Sequence, residues 1–134
     1  MHSRFSITNN TSKRIPRAIL HRLFSLVSKK RTMEVSLVFL DDRAMRAVNK
    51  KWHKYDRQTN VLAFLLDALT GEIVINPYEA EREAKRVGES YTRRVAYLFS
   101  HGLLHLYGHD HKTEKDGKKM EKEEQNILNH IYGV

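Results

Sequence analysis

Three histidines constrain this chain more than any other feature. His101 and His105 stand four residues apart, so on a helix their imidazoles leave the same face one turn from each other. His111 follows Gly108, a residue able to stop the helix in a left-handed conformation and let the chain turn back. The spacing therefore calls for a helix that ends at Gly108 and a return of His111 toward the first two rings. Three ring nitrogens on one divalent ion leave a fourth position for water, the ligand number of a catalytic rather than a structural zinc site. His109 is a rival third ligand, four residues after His105, but it needs an unbroken helix through Gly108, and His111 is preferred.

The register supports this placement. Over a helix from residue 91 to 107, Val95, Ala96, Phe99, Leu103 and Leu106 share one apolar stripe, with His101 and His105 on roughly the opposite side. The same histidine spacing occurs in metzincin proteases, where a glutamate directly after the first histidine is the general base. Here that residue is Gly102, which takes no proton, so peptide hydrolysis is the weaker reading.

The remaining pattern predicts an α+β fold. Residues 4 to 8 alternate like a strand, Asn9 to Ser12 supply turn and cap residues, and Pro16 to Lys29 carry Ile19, Leu20, Leu23, Leu26 and Val27 at helical spacing. Glu34 to Leu40 suits a strand buried on both faces. Asp41 or Asp42 caps a following helix. Val61 to Leu66 and Glu72 to Ile75 read as a hairpin across Asp67 to Gly71, and Asn76-Pro77 opens a helix that stops at Gly88. Ser90 begins the histidine helix. Thr113 with Asp116 approximates a capping box for a last helix bearing Met120, Ile127, Leu128 and Ile131 on one side. Four strands and about five helices imply a sheet with helices packed on it, in a single domain over residues 1–134 with one core.

Composition narrows the chemistry. There are no cysteines, which removes thiolate ligands, disulfide partners and a cysteine nucleophile and fits a reducing, cytoplasmic setting. No apolar run approaches a membrane span, and Met1 to Asn10 lacks the apolar centre of a signal peptide. Twenty-four Lys and Arg against sixteen Asp and Glu give a formal charge of +8, which favours a polyanionic partner. Lys13, Arg14, Arg17, Arg22, Lys29, Lys30 and Arg31 crowd the first quarter. A basic quarter beside a metal centre favours RNA.

The run from His101 to His111, His-Gly-Leu-Leu-His-Leu-Tyr-Gly-His-Asp-His, resembles the signature H-G-x-L-H-L-x-G-Y-D-H of the YbeY family of bacterial and organellar metal-dependent endoribonucleases. Val48-Asn49-Lys50-Lys51-Trp52-His53 and Thr59-Asn60-Val61-Leu62-Ala63-Phe64 resemble that family's L-N-x-x-Y-R and T-D/N-V-L-S-F. Gly71 to Ile75 is similar to its G-D-I-x-I, and Met120 with Glu123 or Glu124 to its closing M-x-x-x-E. The chain departs from the pattern at His53, where the family has an arginine held to meet RNA phosphate. It also has Ala63 for serine, no proline after Phe64, and His109 for tyrosine.

The resemblance implies a small mixed sheet with the metal helix packed against it. It further implies single-strand endoribonuclease activity in ribosomal RNA processing, particularly at the 3′ end of the small-subunit RNA, with a part in ribosome quality control. Ribosomal RNA and the ribosome or small-subunit proteins would be its partners. On this reading one Zn2+ per chain sits on His101, His105 and His111, since three imidazoles suit a borderline-soft ion, with Asp110 as a supporting partner of an imidazole N–H or a turn cap. Arg57 and His53 would bind phosphate or stabilise developing charge, while Thr59 and Asn60 fix the turn into their strand. Two other classes are expected to behave differently: a metalloprotease-like hydrolase with a base from elsewhere, and a non-catalytic ribosome-assembly factor whose metal is structural.

Overall fold

The computed structural model describes residues 4–29, 31–51, 60–108 and 113–132. The elements run β1 (Phe5–Asn9), α1 (Arg17–Val27), β2 (Glu34–Phe39), α2 (Asp42–Lys51), β3 (Val61–Asp67), β4 (Thr70–Ile75), α3 (Pro77–Val87), α4 (Tyr91–Leu106) and α5 (Glu114–Tyr132). The four strands form one mixed sheet in the order β1-β2-β4-β3. β1 and β2 are parallel, β2 and β4 are parallel, and β3 returns antiparallel on β4. The α+β architecture anticipated from periodicity is therefore the one formed.

Local chemistry explains most boundaries. Asp41 caps α2 by accepting from the Ala44 N–H at 2.9 Å. Asn76 caps α3 from both Tyr78 and Glu79 N–H groups, Pro77 fills the first turn, and Gly88 closes the helix at φ 71°. Ser90 Oγ accepts from Arg93 N–H at the head of α4, and Thr113 Oγ1 from Asp116 N–H at the head of α5.

Three expectations need correction. Asn9 to Thr11 do not cap α1: the Asn9 carboxamide accepts from Thr11 and donates to the Lys13 carbonyl, so these residues build a turn, and α1 starts without a side-chain cap. The hairpin turn is tighter than Asp67 to Gly71, because Asp67 pairs with Thr70 after an irregularity at Leu65/Asp67. Finally, β2 is not buried on both faces. Val35, Leu37 and Phe39 are buried while the alternate residues are only half-covered, because α2 packs its Met45 over Leu62 and Val74 instead.

The main core lies on the other face of the sheet. Phe5 stacks on Phe24 of α1 at 4.7 Å and on Phe99 of α4 at 5.3 Å between ring centroids, tying strand, peripheral helix and central helix together. α4 lies close on β4. A Cβ added at Gly102 would stand 3.0 Å from Ile73 Cγ2, and one at Gly71 would stand 2.7 Å from Leu106 Cδ1. Two glycines thus set the depth of the histidine helix against the sheet.

Candidate metal centre

α4 is more enclosed than a two-sided helix. Besides the anticipated stripe, Leu98, Ser100, Gly102 and Leu104 are buried, so the sheet, α1, α3 and α5 cover most of its circumference. Beyond Arg93, what remains partly open on α4 is one strip, Arg94, Tyr97, His101 and His105, at helical spacing. The histidines are polar residues on the uncovered strip of a central helix, rather than members of a broad solvent face.

On that strip the two imidazoles converge. His101 Nε2 and His105 Nε2 lie 3.1 Å apart, with ring centroids 4.7 Å apart. Two nitrogens each about 2.0–2.1 Å from a tetrahedral zinc would stand about 3.3 Å apart, so the observed pair suits two donors to one ion. The other nitrogen of His101 is engaged: Nδ1 contacts Glu124 Oε2. Glu124 is 4% exposed, a carboxylate taken out of water and placed against an imidazole. Such a contact holds the ring proton on Nδ1 and turns the Nε2 lone pair toward the site, the supporting arrangement common around metal-bound histidine. The donor set fits the proposed ion.

Among the described residues, no group of three His, Cys, Asp or Glu side chains converges on one point. The expected third ligand, His111, lies outside the described residues, as do Asp110, His109, His53 and Arg57. Gly108 has φ 99° and donates its N–H to the His105 carbonyl at 3.1 Å, giving the left-handed stop that the sequence required after the second histidine.

Glu124 is the residue that sequence reasoning left without a role. The closing Met-x-x-x-Glu spacing held the signal, because Met120 is fully buried and a residue four positions later shares its helix face. Tyr97 was also passed over. Its ring lies 5.9 Å from that of His101, and the Arg94 guanidinium stands 5.0 Å from its centroid. Burial first, and then the nearby Glu124 carboxylate, push the Tyr97 phenol above its ordinary range. Asn60 is 4% exposed, donates its amide to Glu83 and accepts the Asn76 N–H through its carbonyl, which agrees with a role in fixing the start of β3.

The cations fall into two groups. Arg82, Arg86, Arg93 and Arg94 are paired with Asp42, Glu79, Glu83 and Glu89 across α3 and α4. Arg17, Arg22 and Lys29, on and just after α1, form no ion pair with a carboxylate among the described residues. The unneutralised part of the basic first quarter therefore includes α1.

The fold is that of a mixed-sheet α+β domain already seen in solution. A Thermotoga maritima protein solved by solution methods superposes with a TM-score of 0.70, covering 96% of this chain and 89% of that one at 23% identity, a likeness of fold. The family described as Endoribonuclease YbeY matches residues 2–132. Among proteins named Endoribonuclease YbeY, that of Desulforamulus reducens is 40% identical over 110 residues, 73% of this chain and 72% of the relative. That of Myxococcus xanthus is 39% identical over 105 residues, 72% of this chain but 36% of the relative, and that of Methylocella silvestris 40% over 101 residues, 71% and 57%. The chain belongs to the Endoribonuclease YbeY family, whose class is hydrolytic nuclease.

Proposed function

We propose that this chain is a metal-dependent, single-strand endoribonuclease of ribosomal RNA processing, acting in the cytoplasm at the 3′ end of the small-subunit RNA and in ribosome quality control. The reading rests on the orientation of His101, whose Nδ1 is held by buried Glu124 while its Nε2 faces that of His105 at 3.1 Å. His101, His105 and His111 would hold the zinc ion. Bound there, zinc would supply Lewis acidity toward a phosphoryl oxygen and a water acidified toward neutrality.

The chain's own residues perform the rest. Glu124 keeps the His101 proton on Nδ1 and the ring aimed. Arg57 and His53 bind the substrate phosphate, Arg57 through fixed charge and His53 through a hydrogen bond or a proton exchanged near neutral pH. The cations of α1 favour a polyanion. No described helix is long and apolar enough to cross a membrane. A peptidase mechanism has no support at Gly102, which carries no carboxylate and where even a Cβ would stand 3.0 Å from Ile73 Cγ2.

The test is cleavage of a single-stranded ribosomal RNA fragment by purified protein loaded with zinc, with His105→Ala as the control for contaminating nuclease. Defined RNA ends that vanish in the variant support the reading. Equal cleavage by both proteins would refute it, and release of peptides without RNA cleavage would favour the protease. A tightly bound metal with no exchangeable water and no cleavage would favour the assembly factor.

A further inference from the structure

A cavity of about 670 Å³ opens between α4 and α5. Tyr97 and Leu128 give it apolar lining, while Lys118, Glu121 and Gln125 give it polar groups. Glu124 lines it too and contacts His101 Nδ1, so the cavity reaches the Nδ1 side of that ring. Its volume falls in the range of sites that take one small organic group, about 300–1,000 Å³.

Charge and shape together select the kind of group. Lys118 pairs with Glu114 at 3.4 Å, which leaves Glu121 and Glu124 to set a negative potential. A phosphate would be repelled there, whereas a neutral nucleobase would not. Tyr97 offers an aromatic surface, and Arg94 beside its ring is itself anchored by Glu89 at 2.9 Å. Rings presented in this way are the usual platforms for unpaired RNA bases. Glu121 sits one turn before Glu124 on α5, and its carboxylate makes no ion pair with a described residue. A carboxylate has two acceptor oxygens and no donor. The Watson–Crick edge of guanine matches it with two adjacent donors, while uracil sets one N–H between two carbonyls that would face like charge.

We propose that this cavity is a nucleobase subsite, in which Tyr97 stacks on one base of the bound strand and Glu121 accepts from its donor edge, so that guanine is preferred there. The proposal rests on the endoribonuclease reading above and adds a base-reading element to it.

Affinity for short 2′-O-methyl phosphorothioate oligomers, which resist cleavage, tests it by fluorescence anisotropy with guanine, adenine, cytosine or uracil at one varied position. Tyr97→Ala should weaken binding about tenfold, the loss of one stacked base, while Tyr97→Phe should stay within about twofold of the wild type. Glu121→Gln, at an exposed position where folding is not at stake, should weaken guanine-containing oligomers, leave uracil-containing ones bound as well or better, and abolish the guanine preference. Equal binding by wild type and Tyr97→Ala, or a guanine preference that survives Glu121→Gln, would overturn the subsite. If that happens while the wild type still cleaves RNA with zinc, only the subsite falls. If the wild type cleaves no RNA at all, the nuclease reading falls and the subsite with it.

Discussion

Buried Glu124 contacts Nδ1 of His101 and so decides which nitrogen of that ring faces His105. The contact joins α5 to α4, and it makes a residue far along the chain part of the candidate metal centre.

Glu124→Ala should lower zinc affinity about 10- to 100-fold, the usual cost of removing a carboxylate behind a ligating imidazole. Competition with a chromophoric chelator measures this directly. The wild type should hold one equivalent of zinc, His105→Ala should lose it, and Glu124→Gln should fall between wild type and Glu124→Ala because it retains a hydrogen-bond acceptor. Unchanged affinity in Glu124→Ala would remove Glu124 from the centre.

Gly102 faces Ile73 so closely that side chains should be graded there by size. In Gly102→Ala, overpacking of about 1–3 kcal/mol is partly offset by about 1 kcal/mol of helix propensity, for a net loss of roughly 1 kcal/mol. Ile73→Val in the same chain should recover only part of it, since it removes Cδ1 at 3.2 Å but keeps the closer Cγ2. Gly102→Glu, which supplies the metzincin base, should cost more than about 3 kcal/mol, since it also buries a charge. Urea midpoints of the single and double variants decide the matter.

Alkaline pH should loosen the packing of α4 on the loop before α1. Tyr91 donates its hydroxyl to the Arg14 carbonyl at 2.7 Å, and burial pushes its phenol up to about 12. An unfolded phenol ionises from about pH 10. Between these values the native state binds more protons than the unfolded state, so stability is fully present below pH 10 and falls as pH rises toward 12. Burial raises Tyr97 and Tyr132 as well, so Tyr91→Phe should flatten part of this decline. Near neutral pH that variant should lose about 1 kcal/mol for the hydrogen bond. Urea unfolding at about pH 8 and pH 11 measures both effects, one pH below the window and one within it.

Substrate-side chemistry is expected at two residues outside the described ones. Arg57→Ala should depress RNA cleavage about tenfold or more with metal content intact, the lower range for losing a charged transition-state contact. His53→Ala should change the pH profile of cleavage, because an imidazole titrates near neutrality. Wild-type rates and profiles in both variants and in their double combination would move phosphate recognition elsewhere.

Sequence by itself determined what is local or periodic. The caps Asn76, Ser90 and Thr113, a cap at Asp41 or Asp42, the stop at Gly88 and the four-residue interval of His101 and His105 all follow from interactions within a turn. Relations across the chain were decided only by the tertiary structure. The partner of His101 comes from α5, 23 residues away, and although the four-residue interval from Met120 places Glu124 on the apolar face of α5, only the packing of α5 on α4 brings it to the imidazole. Gly102 reads in the sequence as a missing base, and only the approach of Ile73 reveals it as the residue that lets α4 lie close on the sheet. Periodicity reports how often a face recurs, whereas burial depends on which neighbours arrive to cover it, and those neighbours are fixed by the whole chain.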